Sequence, residues 1–154
     1  MNMTAEQRLE QAGIALPIAP KPLGAYVPAV RVGNLLYLSG TLPLEGSAPK
    51  FQGRIGDEFG IEDARSAARL AALNALALAR QHLGSLDRVT RIVRLTVSLA
   101  TTAGFRDHAK VADGASELLA TVFGVERAPT RMVSGVLSLP AGAPVVVEIL
   151  LEVD

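Results

Sequence analysis

The sequence predicts an α+β domain in which two helices pack on one face of a mixed β-sheet. Three observations support this class. Val145 to Val153 carries apolar residues at every second position, which is the pattern of a half-buried strand. Alanine and leucine recur at helical spacing from about Glu62 to Leu83, and Gly84 follows them as a helix-ending residue. The patterns follow one another in the order β-β-α-β-α-β-β, which favours a four- or five-stranded sheet.

Residues 1–22 are predicted to form a short helix and an extended arm. The run Thr4–Gln7 fits a capping box that opens the helix, and Gly13 is suited to end it. Leu16 to Pro22 then contains three prolines, which exclude a helix interior or a central strand. We interpret this stretch as an arm lying over the domain, with a flexible linker as the alternative. The main domain is then residues 23–154.

Two short strands are predicted to form the first hairpin. Ala29 to Val32 and Leu35 to Ser39 flank Gly33-Asn34, which fits a two-residue turn. From Glu45 to Gly60 the chain is rich in glycine, proline, serine and charged residues, a composition typical of a loop. This loop leads into the long helix.

The second half of the chain supplies a strand, a helix and two final strands. Leu86 to Ala100 contains an alternating strand pattern, and the second helix is expected from about Arg106 to Phe123. We expect this helix to be irregular before Gly114. Thr130 to Leu139 reads as the next strand, and the turn Pro140–Pro144 predicts that it forms a hairpin with the last one.

The composition excludes several classes of function. Lys plus Arg and Asp plus Glu both number 15, so the chain lacks the net field that gathers nucleic acid or anionic membranes. No cysteine is present, which excludes disulfides and a thiol nucleophile. His82 and His108 do not stand at metal-ligand spacing, so no metal site is expected. With no secretory leader and no membrane-spanning run, we expect a cytoplasmic protein.

Arg131 is the sharpest candidate for chemistry. It opens a largely apolar strand, and a guanidinium group stays charged, so its side chain must reach water or an anion. The anion is either a protein carboxylate, Glu148 or Glu152 across the predicted last hairpin, or the carboxylate of a ligand. The residues by themselves leave both alternatives open.

Several short motifs, taken in order, resemble the RidA (YjgF-type) family. They are Leu23-Gly-Ala-Tyr26-Val, Gly33-Asn34, Leu38-Ser39-Gly40-Thr-Leu-Pro43, and Arg131 followed by Leu139-Pro140 and a closing V-x-V-E-I strand. The likeness runs from Gly24 to Val153, and the capped helix and proline arm resemble a bacterial branch with a longer N-terminus. The resemblance implies a chorismate-mutase-like fold and a homotrimer with clefts between its subunits. It also implies hydrolysis of small 2-imino and enamino acids, without a cofactor.

The resemblance assigns roles to individual residues. Arg131 aligns with the arginine that grips the substrate carboxylate, and its planar fork suits that task. Tyr26 aligns with a tyrosine of the cleft wall that could shield the site or donate through its hydroxyl, and is the second catalytic candidate. Ser39 aligns with a polar cleft residue, and Gly40 leaves room for a close backbone approach. The alternatives are an interface anchor for Tyr26 and a strand-end turn for Ser39 and Gly40.

Three positions depart from the family's pattern. Val146 stands where deaminating members carry a glutamate that orients the attacking water, while Glu148 aligns with the next acidic position on the same strand face. Asp113 stands at a polar cleft position, where an anion would weaken carboxylate binding, and Val133 stands where cysteine is common. Losing the water-orienting group is expected to lower a rate by about two to four orders of magnitude.

Three functions follow, in order of preference. The first is an imine/enamine deaminase, and the second is a non-catalytic trimer whose Arg131 clefts bind small carboxylates. Val146 and Asp113 favour the second. The third is the endoribonuclease activity that an older name of the family suggests. The balanced charge and the small number of aromatic residues argue against it, because RNA binding depends on phosphate neutralisation and stacking.

Overall fold

A computed structural model describes residues 2–154 of the chain. Within them the chain forms three α-helices, α1 (Ala5–Gln11), α2 (Ile61–Leu83) and α3 (His108–Phe123). The strands are β1 (Ala29–Val32), β2 (Leu35–Leu38), β3 (Leu44–Glu45), β4 (Ala48–Pro49), β5 (Val89–Ala100), β6 (Thr130–Val136) and β7 (Val145–Val153). Five of them form one mixed sheet in the order β1-β2-β7-β5-β6, which confirms the predicted α+β class.

The strand order corrects the predicted last hairpin. β5 lies between β6 and β7, pairing parallel with β6 and antiparallel with β7. A parallel pair needs a crossover connection, and α3 supplies it between β5 and β6. The segment Pro140–Gly142 forms a short 3₁₀ turn that carries the chain across β5 rather than around a tight turn. The predicted pairing of Arg131 with Glu148 or Glu152 is therefore wrong, because a whole strand separates them.

Alternating burial determines which face of the sheet the helices cover. Leu95 of β5 and Val147 of β7 are fully buried, and Ile149 is 1% exposed. α2 contacts α3 and β7 through a surface of buried alanines, so the helix can lie close to the strands. Each fully buried Leu, Ile or Val contributes about 1.5–3 kcal/mol to folding. This packing confirms that α2 and α3 lie on one face of the sheet.

Gly114 marks the closest approach between α3 and α2. A Cβ atom at this position would collide with the backbone oxygen of Arg65. The predicted irregularity before Gly114 is wrong, because α3 is continuous from His108 to Phe123. The glycine serves the contact between the helices, and packing outweighs its low helix propensity.

The N-terminal helix packs against the rest of the domain. The predicted capping box is confirmed: the Gln7 N–H donates to Thr4 Oγ1 at 3.2 Å, and the Thr4 N–H donates to Gln7 Oε1 at 3.0 Å. Gly13 ends the helix with φ +67°. Leu9 is 2% exposed and belongs to the same hydrophobic cluster as the sheet. The proposed boundary between residues 22 and 23 stays a prediction.

The segment between β2 and α2 is more ordered than expected. The hairpin of β1 and β2 is confirmed, with Ala29 paired with Leu38. The predicted loop from Glu45 to Gly60 contains part of β3 and all of β4, which pair with each other over two residues. Two-residue strands give too little alternation for a sequence pattern to reveal them.

Candidate functional site

Arg131 lies on the edge strand β6 and points towards α3. Its partner on β5 is Leu95, which is buried beneath the helices, and paired residues of a sheet point to the same face. Arg131 Nη1 donates to Asp113 Oδ1 at 2.7 Å and to Ser116 Oγ at 3.0 Å. Asp113 and Ser116 are three residues apart on α3, so they share one side of the helix. The arginine thus meets a carboxylate of the crossover helix.

These side chains line a surface pocket of about 340 Å³. Its apolar wall consists of Ile92, Leu119, Ala120, Ala128 and Pro129. The Arg131 and Asp113 side chains are 27% and 46% exposed, so a ligand can reach both charges. A pair this exposed contributes only about 0–1 kcal/mol, and little stability is lost when a ligand replaces it.

The ion pair uses only part of each charged group. Among residues 2–154, the hydrogen bonds of Arg131 leave from Nη1, and Asp113 accepts through Oδ1. Nε and Nη2 of the arginine and Oδ2 of the aspartate remain without a hydrogen-bond partner in that part of the chain. A guanidinium group presents its donors as a planar fork, so one edge of the fork is open to an incoming oxyanion.

Tyr26, Ser39 and Gly40 form a second cluster, beside Val146. The Leu23 N–H donates to the Tyr26 hydroxyl at 3.1 Å, and Ser39 Oγ donates to the backbone oxygen of Val27 at 2.6 Å. A Cβ atom on Gly40 would approach Val146 Cγ1 to 2.9 Å, so this glycine permits close contact with β7. Two strands, β7 and β5, lie between this cluster and β6, so one chain does not bring it to Arg131.

The remaining predicted site residues lie on both faces of the sheet. Val133 shares the helix side of β6 with Arg131 and packs against the hydrophobic core. Val146 and Glu148 share the opposite face of β7, as predicted, where they pair with even-numbered residues of β5. Glu148 and Arg131 therefore point away from each other within one chain.

No helix formed by residues 2–154 covers the face that carries Val146 and Glu148, and we call it the open sheet face. Its exposed large apolar residues are Val30, Val32, Tyr37 and Met132, which are 47%, 60%, 48% and 52% exposed. Polar residues of β5 and β7 separate the apolar groups. Exposed apolar side chains gathered on one face are typical of an interaction surface.

Ser116 is a site residue that sequence reasoning does not single out. Its hydroxyl accepts from Arg131 Nη1, alongside Asp113. The available signal is its position three residues after Asp113 on a helix, which places both side chains on the same side. Because a serine at this spacing is common on any helix surface, the pattern alone does not select it.

The described part of the chain offers no set of side chains that could bind a metal ion. Residues 2–154 contain no group of three His, Cys, Asp or Glu side chains placed to hold a metal ion. The His108 ring packs edge-on against Phe105, with the ring centroids 5.2 Å apart. In the same part of the chain, no helix combines the length and apolar character needed to cross a membrane.

Two groups outside the Arg131 pocket have shifted pKa values. The Arg54 backbone N–H donates to Glu58 Oε2 at 2.8 Å and lowers the pKa of Glu58. The carboxylate of Glu117 accepts from Arg65 Nη2 at 2.6 Å and raises the pKa of Arg65. The first bond closes the loop before α2, and the second ties α2 to α3.

Comparison with known proteins identifies the family. Residues 6–153 match the family model described as "YjgF/chorismate_mutase-like, putative endoribonuclease". The match covers nearly all of the chain. The chain belongs to the YjgF/RidA family. The predicted family and the chorismate-mutase-like fold are therefore confirmed.

Individual relatives of this YjgF/RidA chain support the assignment. Protein TCP17 of Trypanosoma cruzi is 37% identical, over 95% of this chain and 92% of that protein. A 2-iminobutanoate/2-iminopropanoate deaminase of Dermatophagoides farinae is 28% identical, over 92% of this chain and 95% of the deaminase. A solved structure from Shewanella oneidensis MR-1, also described as a "putative endoribonuclease", is 34% identical with a TM-score of 0.94. That alignment covers 98% of this chain and 100% of the other.

Proposed function

We propose that this YjgF/RidA protein hydrolyses small 2-imino acids, and that Arg131 binds the substrate carboxylate. The observation that carries the proposal is the open edge of the Arg131 fork in a pocket of about 340 Å³. A planar guanidinium group binds a carboxylate through two parallel hydrogen bonds, which a lysine cannot reproduce. The relative from Dermatophagoides farinae carries the name of a deaminase that acts on imino acids of this size.

The reaction needs orientation more than it needs a reactive side chain. A protonated imine is already electrophilic, so water adds to the C=N carbon and forms a carbinolamine. This intermediate expels ammonia, which leaves the 2-oxo acid. With the carboxylate fixed on Arg131, the imine carbon is held at a constant position in the pocket. Such positioning accelerates a reaction strongly. No cofactor is part of this scheme.

The family resemblance implies a homotrimer, and we also propose that its three copies assemble through the open sheet face. Four apolar side chains on that face are about half exposed in one chain, and assembly would bury them. The Tyr26–Ser39–Gly40 cluster and the Arg131 pocket lie apart in one chain, so a cleft that contains both requires a neighbouring subunit. The expected cytoplasmic location stays a prediction.

A trapping assay tests the deaminase proposal. An amino-acid oxidase generates 2-imino acids, semicarbazide traps the imine that survives, and the purified protein competes with the trap. We expect the wild type to lower semicarbazone formation. Arg131→Ala should lower kcat/KM by about 10- to 150-fold, because it loses charge-assisted hydrogen bonds worth about 1.5–3 kcal/mol.

The matched control is Arg69→Ala, which removes an exposed arginine from the surface of α2. It should hydrolyse imines like the wild type. If Arg131→Ala and Arg69→Ala have the same rate as the wild type, Arg131 does not bind the substrate. If the wild type leaves semicarbazone formation unchanged for every imino acid tried, the deaminase proposal fails.

The second candidate is a non-catalytic trimer that binds small carboxylates. It is favoured by the apolar Val146, which stands where the family resemblance implies a glutamate in deaminating members, and by Glu148, which faces away from Arg131 within one chain. Binding of 2-oxobutanoate that depends on Arg131, without any hydrolysis of imines, would select this candidate. The endoribonuclease candidate would require RNA binding that weakens as salt is added, and a chain of zero formal net charge offers little for it.

A further inference from the structure

We propose that Asp113 makes the Arg131 pocket selective for zwitterions, in which a positive nitrogen stands on the carbon next to the carboxylate. This inference rests on the proposed function of Arg131 and names its substrate class. The protonated 2-imino acid is such a zwitterion, whereas a simple carboxylate and a neutral enamine amide are not. In this reading the aspartate recognises the reacting nitrogen rather than weakening the site.

The geometry of the ion pair offers one partner for each charge of a zwitterion. Asp113 Oδ1 and Arg131 Nη1 lie 2.7 Å apart, so the two charged groups are in direct contact. Asp113 Oδ2 and the Nε–Nη2 edge of Arg131 carry no hydrogen bond from the described residues and are available for a ligand. A 2-iminium acid presents its carboxylate and its N–H⁺ on adjacent carbons. Its two charges can therefore contact the two sides of the pair at once.

Charge decides between ligands at this site. An anion bound to Arg131 would lie beside the Asp113 carboxylate, and like charges at such a distance repel. A cationic nitrogen on the same ligand converts part of that repulsion into attraction. Proximity to the carboxylate also favours the protonated form of the imine, which is the form that water attacks.

Ser116 allows the pair to open without releasing the arginine. Its Oγ accepts from the same Nη1 at 3.0 Å, so Arg131 keeps one hydrogen bond if Asp113 turns towards a ligand. The apolar wall formed by Ile92, Leu119 and Pro129 then receives the ligand's carbon chain. A pocket of about 340 Å³ is within the usual range for small ligands, about 300–1,000 Å³.

Calorimetric titration with two ligands of one carbon skeleton tests the selectivity. 2-Aminobutanoate is a stable zwitterion, and butanoate is the matching anion. We expect the wild type at pH 7 to bind 2-aminobutanoate at least about tenfold more tightly than butanoate. Asp113→Asn should remove this preference, because it weakens the binding of 2-aminobutanoate and strengthens the binding of butanoate. Asp63→Asn, which neutralises an exposed aspartate at the start of α2, should keep it.

The outcomes separate this inference from the deaminase proposal, provided that the trapping assay is run on the same samples. An unchanged preference in Asp113→Asn, equal binding of both ligands to the wild type, or no binding of either ligand overturns the role of Asp113. If the wild type hydrolyses imines and Asp113→Asn keeps the ligand preference, only the role of Asp113 is overturned and the deaminase proposal stands. A preference lost in Asp113→Asn without any imine hydrolysis would support zwitterion selection and overturn the deaminase. A circular dichroism spectrum of Asp113→Asn that matches the wild type would show that the variant remains folded.

Discussion

At the scale of single residues, Arg131 shows how a charged side chain fits an otherwise apolar strand. β6 is an edge strand, so the guanidinium group leaves the sheet at its margin and reaches the polar side of α3. Asp113 and Ser116 hold it there at 2.7 and 3.0 Å. The same contacts leave the Nε–Nη2 edge of the fork without a hydrogen-bond partner among the described residues.

Gly114, the neighbour of Asp113, sets the distance between α3 and α2. We expect Gly114→Ala to lower the free energy of unfolding by about 1–3 kcal/mol, because its methyl group would collide with the backbone oxygen of Arg65. Urea denaturation measures this change.

Gly104→Ala is the control, since a Cβ atom there meets nothing within 4 Å and its φ lies outside the left-handed region. If Gly114→Ala matched or exceeded the wild type in stability, the close contact between the helices would be refuted.

At the scale of elements, a carboxylate helps to close the loop before α2, where the Gly53 and Ile55 N–H groups also donate to the backbone oxygens of Gly142 and Ala100. The Arg54 N–H donates to Glu58 Oε2, and Gly53 adopts φ +127° directly beneath that side chain. The pKa of Glu58 is lowered in the folded protein, so its contribution to stability is present above the unfolded value of about 4.3. That contribution is lost as the pH falls through the lower, folded pKa.

Glu58→Gln should therefore weaken the dependence of stability on pH below about pH 4.3. Chemical denaturation at a series of acidic pH values measures the slope for the variant and the wild type. Glu10→Gln, on the exposed side of α1, should keep the wild-type slope. Equal slopes for Glu58→Gln and the wild type would show that the carboxylate does not close the loop.

Local signals predict most elements, whereas long-range contacts determine what sequence reasoning misses. The capping box at Thr4, the alternation along β7 and the left-handed Gly84 act within a few residues, and the structure has each where expected. The place of β6 beside β5 depends on the α3 crossover, which no local pattern reveals. The ion pair of Arg131 with Asp113 follows from the same crossover: the family resemblance places Asp113 near the carboxylate-binding arginine, but no local pattern predicts their direct contact.

At the scale of the whole molecule, the predicted site residues fall into two groups that one chain keeps apart. Arg131 and Asp113 lie on the helix side of the β6 edge, and the Tyr26 cluster lies beyond β7. The open sheet face, on the side of the sheet opposite Arg131, carries exposed apolar side chains. A second copy seated there would bury them and could complete a cleft from two subunits.

Light scattering on a sizing column should give a mass about three times the 16.1 kDa of one chain. Tyr37→Glu places a charge beside Val30 among the exposed apolar side chains of the open sheet face and should reduce the mass towards that of one chain. Ile18→Glu is the control, because Ile18 is 92% exposed on the arm and lies outside the sheet. A monomeric wild type, or a Tyr37→Glu variant that keeps the trimer mass, would contradict assembly through this face.

We propose above that Arg131 binds the carboxylate of a small 2-imino acid. The most direct test is a crystal structure with 2-oxobutanoate, the product expected from 2-iminobutanoate. We predict that the carboxylate of the bound product lies within hydrogen-bonding distance of the Nε–Nη2 edge of Arg131, with its carbon chain against Ile92 and Leu119. A product molecule bound elsewhere, with Arg131 still held only by Asp113 and Ser116, would show that Arg131 does not bind the carboxylate.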